Sequence, residues 1–171
     1  HGVIALNLDD PNLAPSLDRH NMLAHITSLP DQLESAYRFG LAQPSPVDRP
    51  IQAVILAGMG GSAMAADLLE AYAAPLANVP LIVHRNYNLP AWANASTLVI
   101  ATSHSGETEE TLSAYHCAVQ RGCCTLALST GGALMHSARQ NGTPHWRFEH
   151  HGQPRSAVGL GFGLATAALT R

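Results

Sequence analysis

Short apolar runs alternate with helical patterns along most of this chain, and this alternation constrains the fold more than any other feature. The apolar runs that have the length of strands are residues 51–57, 81–84, 97–101, 123–128 and 145–148. The helical patterns between them are residues 62–74, 108–121 and 132–141. Because parallel strands need crossover helices and are buried on both faces, the alternation predicts an α/β fold, a three-layer αβα sandwich with a five-stranded, mostly parallel sheet. The last run is the most polar and is expected at a sheet edge.

The segments that flank this pattern are less regular. Within residues 1–50 we expect an irregular arm, a helix over residues 18–39 and a proline-rich linker. Residues 51–155 are expected to form the main domain. Residues 156–171 are expected to begin a further helix, which lacks a C-terminal capping signal and would lead to a second domain beyond this chain. The arm is a candidate contact with a partner subunit.

Composition restricts the classes of partner. The 171 residues are 46% hydrophobic and 12% charged, and no apolar run approaches the length of a membrane span. The nine basic residues are all arginine and are spread along the chain, and the formal net charge is −3. Neither nucleic acid nor a membrane is therefore an expected partner. Three cysteines without a CxxC pair favour the reducing cytoplasm over a disulfide framework.

Two short polar segments each follow an apolar run and open a helical one. They are residues 58–62, GMGGS, and residues 103–108, SHSGET. Glycines and hydroxyls at the start of a helix leave free backbone N–H groups and the positive end of the helix dipole at one spot, which suits an anion. Open α/β sheets place ligands at the carboxyl ends of their strands, where these two segments would converge. The sequence therefore predicts a phosphate-binding crevice.

Neither segment matches a common nucleotide-binding motif. The glycines of the first do not have the G-x-G-x-x-G spacing of a dinucleotide site, and the next strand ends in His84 rather than an acidic residue. A P-loop needs a lysine, which the chain lacks. No cofactor is therefore expected. The histidines His145, His150 and His151 do not have the spacing of a metal site, so no metal is expected either.

The second segment, S-x-S-G-x-T entering a helix, resembles the phosphosugar-binding signature of the sugar isomerase (SIS) fold. Within that superfamily the chain is most similar to the bifunctional phosphoglucose/phosphomannose isomerases. The motifs that carry this similarity are GMGGSA-x5-L at residues 58–69, S-x-S-G-x-T-E-E-T-L at residues 103–112, and P-R-S at residues 154–156. The resemblance spans residue 50 to the end of the chain, and it implies flavodoxin-like winding of the sheet.

The resemblance also implies a site. In the family, the residues that match these motifs hold the phosphate of the sugar. Carried over to this chain, the phosphate-binding residues are Gly60, Gly61, Ser62, Ser103, Ser105, Gly106 and Thr108. The family arginine that matches Arg155 lies near the reacting carbons, so Arg155 is implied as a catalytic electrophile.

Two residues depart from the family pattern. His104 stands where the family usually has an aromatic residue, and we treat it as a possible sugar contact. Glu107 stands where the family usually has asparagine. Because a carboxylate beside a phosphate would be repelled, the side chain of Glu107 is expected to face away from the crevice.

The implied function is the interconversion of glucose 6-phosphate or mannose 6-phosphate with fructose 6-phosphate by a homodimer. Family members carry two SIS domains, and their base, ring-opening histidine and lysine come from the second domain and the partner subunit. This chain covers one domain, and Glu109 and Glu110 lie where a helix-capping role is the commoner explanation. We therefore expect the chain alone to bind hexose 6-phosphate without turnover. A non-catalytic sugar-phosphate sensor and a single-domain SIS isomerase for another phosphosugar remain open alternatives.

Overall fold

The computed structural model describes residues 17–170. Its strands are β1 (Ala53–Gly58), β2 (Leu81–His84), β3 (Thr97–Ser103), β4 (Cys124–Ser129) and β5 (His145–Arg147). Its helices are α1 (Met22–Thr27), α2 (Leu29–Ala42), α3 (Gly60–Ala73), α4 (Glu109–Gln120), α5 (Gly132–Asn141) and α6 (Val158–Leu169), with a 3-10 turn at Pro154–Ala157 before α6. The arm expected at the start of the chain lies outside the described residues.

The strands form one sheet in the order β2-β1-β3-β4-β5, and every described strand pair is parallel. The predicted α/β fold with flavodoxin-like winding is confirmed, and β5 lies at the expected edge. The winding direction reverses between β1 and β3, since the chain leaves β1 first towards β2 and then returns to the other side. Ligands of doubly wound sheets bind at such a reversal, outside the carboxyl ends of the strands.

The register of the strands brings their carboxyl ends level. Gly58, the last residue of β1, pairs with Thr102 of β3, and Ser103 pairs with Ser129 at the end of β4. The segments that follow these three strands therefore leave the sheet side by side.

The sheet is buried on both faces. Val54 and Leu56 of β1 belong to a core formed with α2, α3 and α6, whereas Ile55 points to the opposite face, which α4 covers. On that second face, Leu134 of α5 packs against Tyr115 of α4. Neighbouring side chains of β1 point to opposite faces of the sheet, and both faces are buried. This is why the apolar run in the sequence is uninterrupted.

The helix predicted over residues 18–39 is two helices, α1 and α2. The break falls at Ser28, and a proline occupies the first turn of α2. Proline has no backbone N–H and is tolerated in the first turn of a helix, so it favours the start of a new helix at this position.

The last helix packs within the same layers as the rest of the fold. Close approach of α6 to α2 depends on its glycines, because a Cβ at Gly163 would lie 2.5 Å from the carbonyl oxygen of Leu33 and a Cβ at Gly159 would lie 2.7 Å from that of Leu29. No helix within residues 17–170 is long and apolar enough to cross a membrane.

Candidate functional site

The segment between β1 and α3 forms the first wall of the site. A Cβ at Gly58 would lie 3.0 Å from the carbonyl oxygen of Thr102, so glycine allows the end of β1 to approach β3 closely. Gly60 has a φ of +51°, and α3 begins there. The first N–H groups of a helix have no partner within it. The N–H groups of Gly60 and Gly61 are therefore available to an anion, and Ser62 lies half-buried in the same turn.

The segment between β3 and α4 forms the second wall, and Ser103 holds it together. Ser103 is only 1% exposed. Its hydroxyl oxygen lies 2.8 Å from the hydroxyl oxygen of Thr108 and accepts the N–H of Gly106 at 3.0 Å. Ser105 is exposed, and its hydroxyl oxygen accepts the N–H of Glu107 at 3.2 Å. The segment is thus a closed turn with Ser105 at its surface and Thr108 at the N-terminus of α4.

A third segment, between β4 and α5, supports the second. The sequence analysis did not predict its contribution to the site. The N–H and the hydroxyl of Thr130 both donate to the carbonyl oxygen of His104, at 3.1 and 2.8 Å. Gly106 has a φ of +77°, and a Cβ there would lie 1.9 Å from the carbonyl oxygen of Gly131. The two segments are therefore in backbone contact, which requires glycine at position 106.

Glu107 is directed towards α5. Its carboxylate accepts the N–H of Ala133 at 2.8 Å, in the first turn of that helix. A carboxylate is stabilised by the positive end of a helix dipole. This contact accounts for a glutamate at the position and agrees with the expectation that its side chain faces away from a bound phosphate.

Arg155 lies beside the first segment. A Cβ at Gly61 would lie 3.0 Å from the Cα of Arg155 and 2.8 Å from the carbonyl oxygen of Pro154, so the 3-10 turn packs directly on the start of α3. The Arg155 side chain is exposed and has no ion pair or hydrogen bond with any residue in the described range. Its charge is therefore available to a ligand.

The rings of His104 and His150 are in contact, with their centroids 5.2 Å apart. The Nε2 atom of His104 lies 3.0 Å from the Nδ1 atom of His150. Burial lowers the pKa of His104. Burial, and then the nearby His104, His25 and His151, lower the pKa of His150. Both rings are therefore favoured as neutral. The pair joins residues 46 positions apart, so no spacing in the sequence could show it.

The described residues hold no group of three or more histidine, cysteine or acidic side chains that could bind a metal ion. A small hollow of about 10 Å³ at the crevice is lined by Gly61, Ser62, Thr102, His104 and Phe148, together with Ala65, Pro154, Ala157 and Gly161. A larger hollow of about 400 Å³ lies elsewhere, beside Val79 and Leu81 at the amino end of β2. It lies away from the helix N-termini that suit an anion, so we place the site at the smaller one.

The structure thus places the residues that the first two motifs singled out in two segments that follow neighbouring strands, and it brings Gly61, Ser62 and His104 together around one hollow. The first segment supplies Gly60, Gly61 and Ser62, and Arg155 packs against it. The remaining predicted residues lie in the second segment or at the start of α4, and they are Ser103, His104, Ser105, Gly106 and Thr108. Ser103 differs from the others because its hydroxyl is buried and already engaged with the turn.

No model of a protein family matches the chain. A bifunctional phosphoglucose/phosphomannose isomerase from Caldicellulosiruptor bescii is 39% identical over 142 residues, which are 82% of this chain and 42% of that protein. The chain spans less than half the length of the curated relatives it matches.

Solved structures share the fold at low identity. A hypothetical protein of Thermus thermophilus matches with a TM-score of 0.65 and 22% identity over 92% of this chain and 42% of that one. The sugar isomerase domain of an RpiR transcription factor from Sphaerobacter thermophilus matches with a TM-score of 0.56 and 22% identity over 87% of this chain and 88% of that one. The chain therefore shares the fold of a sugar isomerase (SIS) domain, and over most of its length it is a homologue of the bifunctional phosphoglucose/phosphomannose isomerases.

Proposed function

We propose that this chain is the phosphosugar-binding domain of an aldose–ketose isomerase that interconverts glucose 6-phosphate or mannose 6-phosphate with fructose 6-phosphate. The observation that carries the proposal is the meeting of two glycine- and serine-containing turns at the winding reversal of the sheet, with the unpaired Arg155 packed against the first. Free N–H groups, hydroxyls and a guanidinium at one place suit a phosphate dianion. The homology to named isomerases supports the same assignment.

In this proposal the phosphate is held at the N-termini of α3 and α4. The direct contacts are the N–H groups of Gly60 and Gly61 and the hydroxyls of Ser62, Ser105 and Thr108. Ser103 acts with them by holding Thr108 and Gly106 in place, since its own hydroxyl is buried.

Arg155 is proposed as the electrophile of the reaction. Isomerisation transfers a proton between adjacent carbons through an enediol, and a guanidinium near those carbons stabilises the negative charge that develops on oxygen. Glu107 accepts from Ala133, and Glu109 accepts from the Tyr87 hydroxyl at 3.1 Å. Glu110 lies in the first turn of α4, where the positive end of the helix dipole stabilises a carboxylate. We therefore propose that the general base comes from outside this chain.

The proposed source of that base is a second SIS domain or a partner subunit of a homodimer. Residues 51–155 are the proposed phosphosugar-binding unit, and the helix from residue 156 is the proposed connection to further chain. A cytoplasmic location is part of the proposal, supported by the three cysteines of the described region, which are free thiols.

The test is calorimetric titration of fructose 6-phosphate into the unaltered chain and into the variants Ser105→Ala and Thr108→Ala. A hydrogen bond to a charged group contributes about 1.5–3 kcal/mol, so each variant should bind at least about tenfold more weakly. The matched control is Ser35→Ala, an exposed serine of α2 whose hydroxyl donates only to the carbonyl oxygen of Gln32. Affinity unchanged in all three variants would remove the proposed phosphate site.

A second candidate function is ligand sensing without chemistry. The contacts of Glu107 and Glu109, and the position of Glu110 in the first turn of α4, favour it, because binding alone needs no general base. A solvent-exchange assay on the full-length protein distinguishes the two functions. Exchange of the C1 or C2 proton of the sugar phosphate with deuterated water indicates an isomerase, whereas tight binding with no exchange indicates a sensor.

A further inference from the structure

Three polar side chains from separate parts of the chain form a continuous row beneath the crevice. His104 follows β3, His150 follows β5, and Ser156 lies in the 3-10 turn before α6. The Nε2 atom of His104 lies 3.0 Å from Nδ1 of His150. The Nε2 atom of His150 lies 3.3 Å from the hydroxyl oxygen of Ser156, and that hydroxyl lies 2.8 Å from the carbonyl oxygen of Gln153.

The donor and acceptor in each hydrogen bond of the row follow from the last group, the carbonyl oxygen of Gln153. A carbonyl oxygen can only accept, so the single proton of the Ser156 hydroxyl is donated to Gln153. Towards His150 the same oxygen can then only accept, which places a proton on Nε2 of His150. A neutral imidazole carries one proton, so Nδ1 of His150 is an acceptor and receives the N–H from Nε2 of His104.

The row therefore ends in an unprotonated nitrogen. With its proton on Nε2, neutral His104 leaves Nδ1 as an acceptor, and no residue of the described range donates to that atom. Burial of the two rings supports the neutral forms on which this assignment depends. The two bonds that Thr130 donates to the carbonyl oxygen of His104 hold the backbone beneath the ring.

We propose that Nδ1 of His104 accepts a hydrogen bond from a hydroxyl of the bound phosphosugar, and that His150 and Ser156 are positioning residues that fix the tautomer of His104. The inference rests on the proposed phosphosugar function, since His104 lines the hollow with Gly61 and Ser62. An acceptor at this place attracts a sugar hydroxyl, which inorganic phosphate lacks, and repels the unprotonated oxygens of a phosphate group. The row is thus a device that distinguishes a sugar phosphate from inorganic phosphate.

The tautomers can be read directly by long-range 1H–15N correlation spectra of the chain with 15N-labelled histidine at about pH 8, where unperturbed histidine is neutral. The variants His104→Gln and His150→Gln assign the signals. We expect the proton on Nε2 in both rings, and we expect Ser156→Ala to mix the tautomers of both. A proton on Nδ1 of His104 in the unaltered chain would overturn the proposal, as would a Ser156→Ala spectrum that leaves both rings unchanged.

Calorimetry with two ligands tests the role in binding. His104→Ala and Ser156→Ala should weaken fructose 6-phosphate by about 2- to 12-fold, the range of one net hydrogen bond between neutral groups, and should leave the affinity for inorganic phosphate unchanged. His104→Gln keeps an acceptor and should retain most of the affinity for the sugar phosphate. His136→Ala, which changes an exposed histidine of α5, is the matched control and should alter neither ligand.

The outcomes separate this inference from the function on which it rests. Equal losses for both ligands indicate a merely structural role for the row and overturn the inference, and so does the absence of any loss. In both cases the proposed function stands, because the unaltered chain binds. If the unaltered chain binds neither fructose 6-phosphate nor inorganic phosphate, the proposed function fails and the inference fails with it.

Discussion

Among glycine-to-alanine substitutions at the site, Gly106→Ala should lower the free energy of unfolding most. The residue has a φ of +77°, and the added Cβ would lie 1.9 Å from the carbonyl oxygen of Gly131 and 2.8 Å from its carbonyl carbon. Both contacts are with backbone, so no side-chain rotation relieves them. The two segments must separate, and the bond from the N–H of Leu134 to the carbonyl oxygen of Gly106, now 2.9 Å, is lost with them.

The expected cost has three parts. A left-handed conformation costs an L-residue about 1–2 kcal/mol, overpacking costs about 1–3 kcal/mol, and a lost hydrogen bond costs about 0.5–1.5 kcal/mol. Together they come to about 2.5–6.5 kcal/mol. Because a whole domain is stable by only about 5–15 kcal/mol, the variant should be close to unfolding in water.

Gly122→Ala is the matched control for this prediction. Gly122 has a φ of +67°, and a Cβ there meets no heavy atom within 4 Å. This variant should therefore lose only the conformational cost of about 1–2 kcal/mol. Urea unfolding followed by circular dichroism measures both free energies. Equal losses in the two variants would refute the reasoning, because the contact with Gly131 would then carry no cost.

Three further predictions concern charge and activity. The pKa values of His104 and His150 are lowered from 6.5, so these side chains take up protons at a higher pH in the unfolded chain than in the folded chain. The free energy of unfolding should therefore fall as the pH drops from about 6.5 through the lower pKa values of the folded state. A free energy of unfolding that rises on acidification from about pH 7 would contradict this. Glu107→Gln should lower the free energy of unfolding by about 0.3–1 kcal/mol, because it removes a negative charge from the N-terminus of α5. The loss should be smaller in high salt, and a loss that does not depend on salt would refute the dipole explanation. The chain alone should form no glucose 6-phosphate from fructose 6-phosphate in a coupled assay, because holding a phosphate without a positioned base does not accelerate the chemical step. Robust turnover that Glu109→Gln abolishes would show that the base lies within this chain.

The sheet could be predicted from the sequence because its signal is local. Each buried parallel strand is a continuous apolar run, and residues 53–58 are buried throughout in the structure as that run requires. The positions of Ser105 and Thr108 at a helix start could be predicted for the same reason, since the motif lies within one turn. The break at Ser28 was missed, although the proline two residues later was a signal that could have found it.

The parts of the site that were not predicted depend on contacts between distant residues. The support that Thr130 and Gly131 give to the second segment becomes visible only when β4 lies beside β3. The burial of Ser103 follows from the same packing, because its neighbours on the sheet determine its exposure. The row from His104 to Ser156 needs three segments to meet, and no pattern along the chain encodes that meeting.

The central claim is that a phosphosugar binds where the two turns meet, and backbone amide shifts during a titration test it most directly. In 1H–15N spectra of the chain, fructose 6-phosphate should shift the amides of Gly60, Gly61, Ser62, Ser105 and Gly106, with saturation at one common dissociation constant. The exposed amides of α2, on the far side of the fold from α4 and α5, should stay in place. Saturable shifts confined to α2 or to the hollow beside Val79, with those five amides unmoved, would contradict the account.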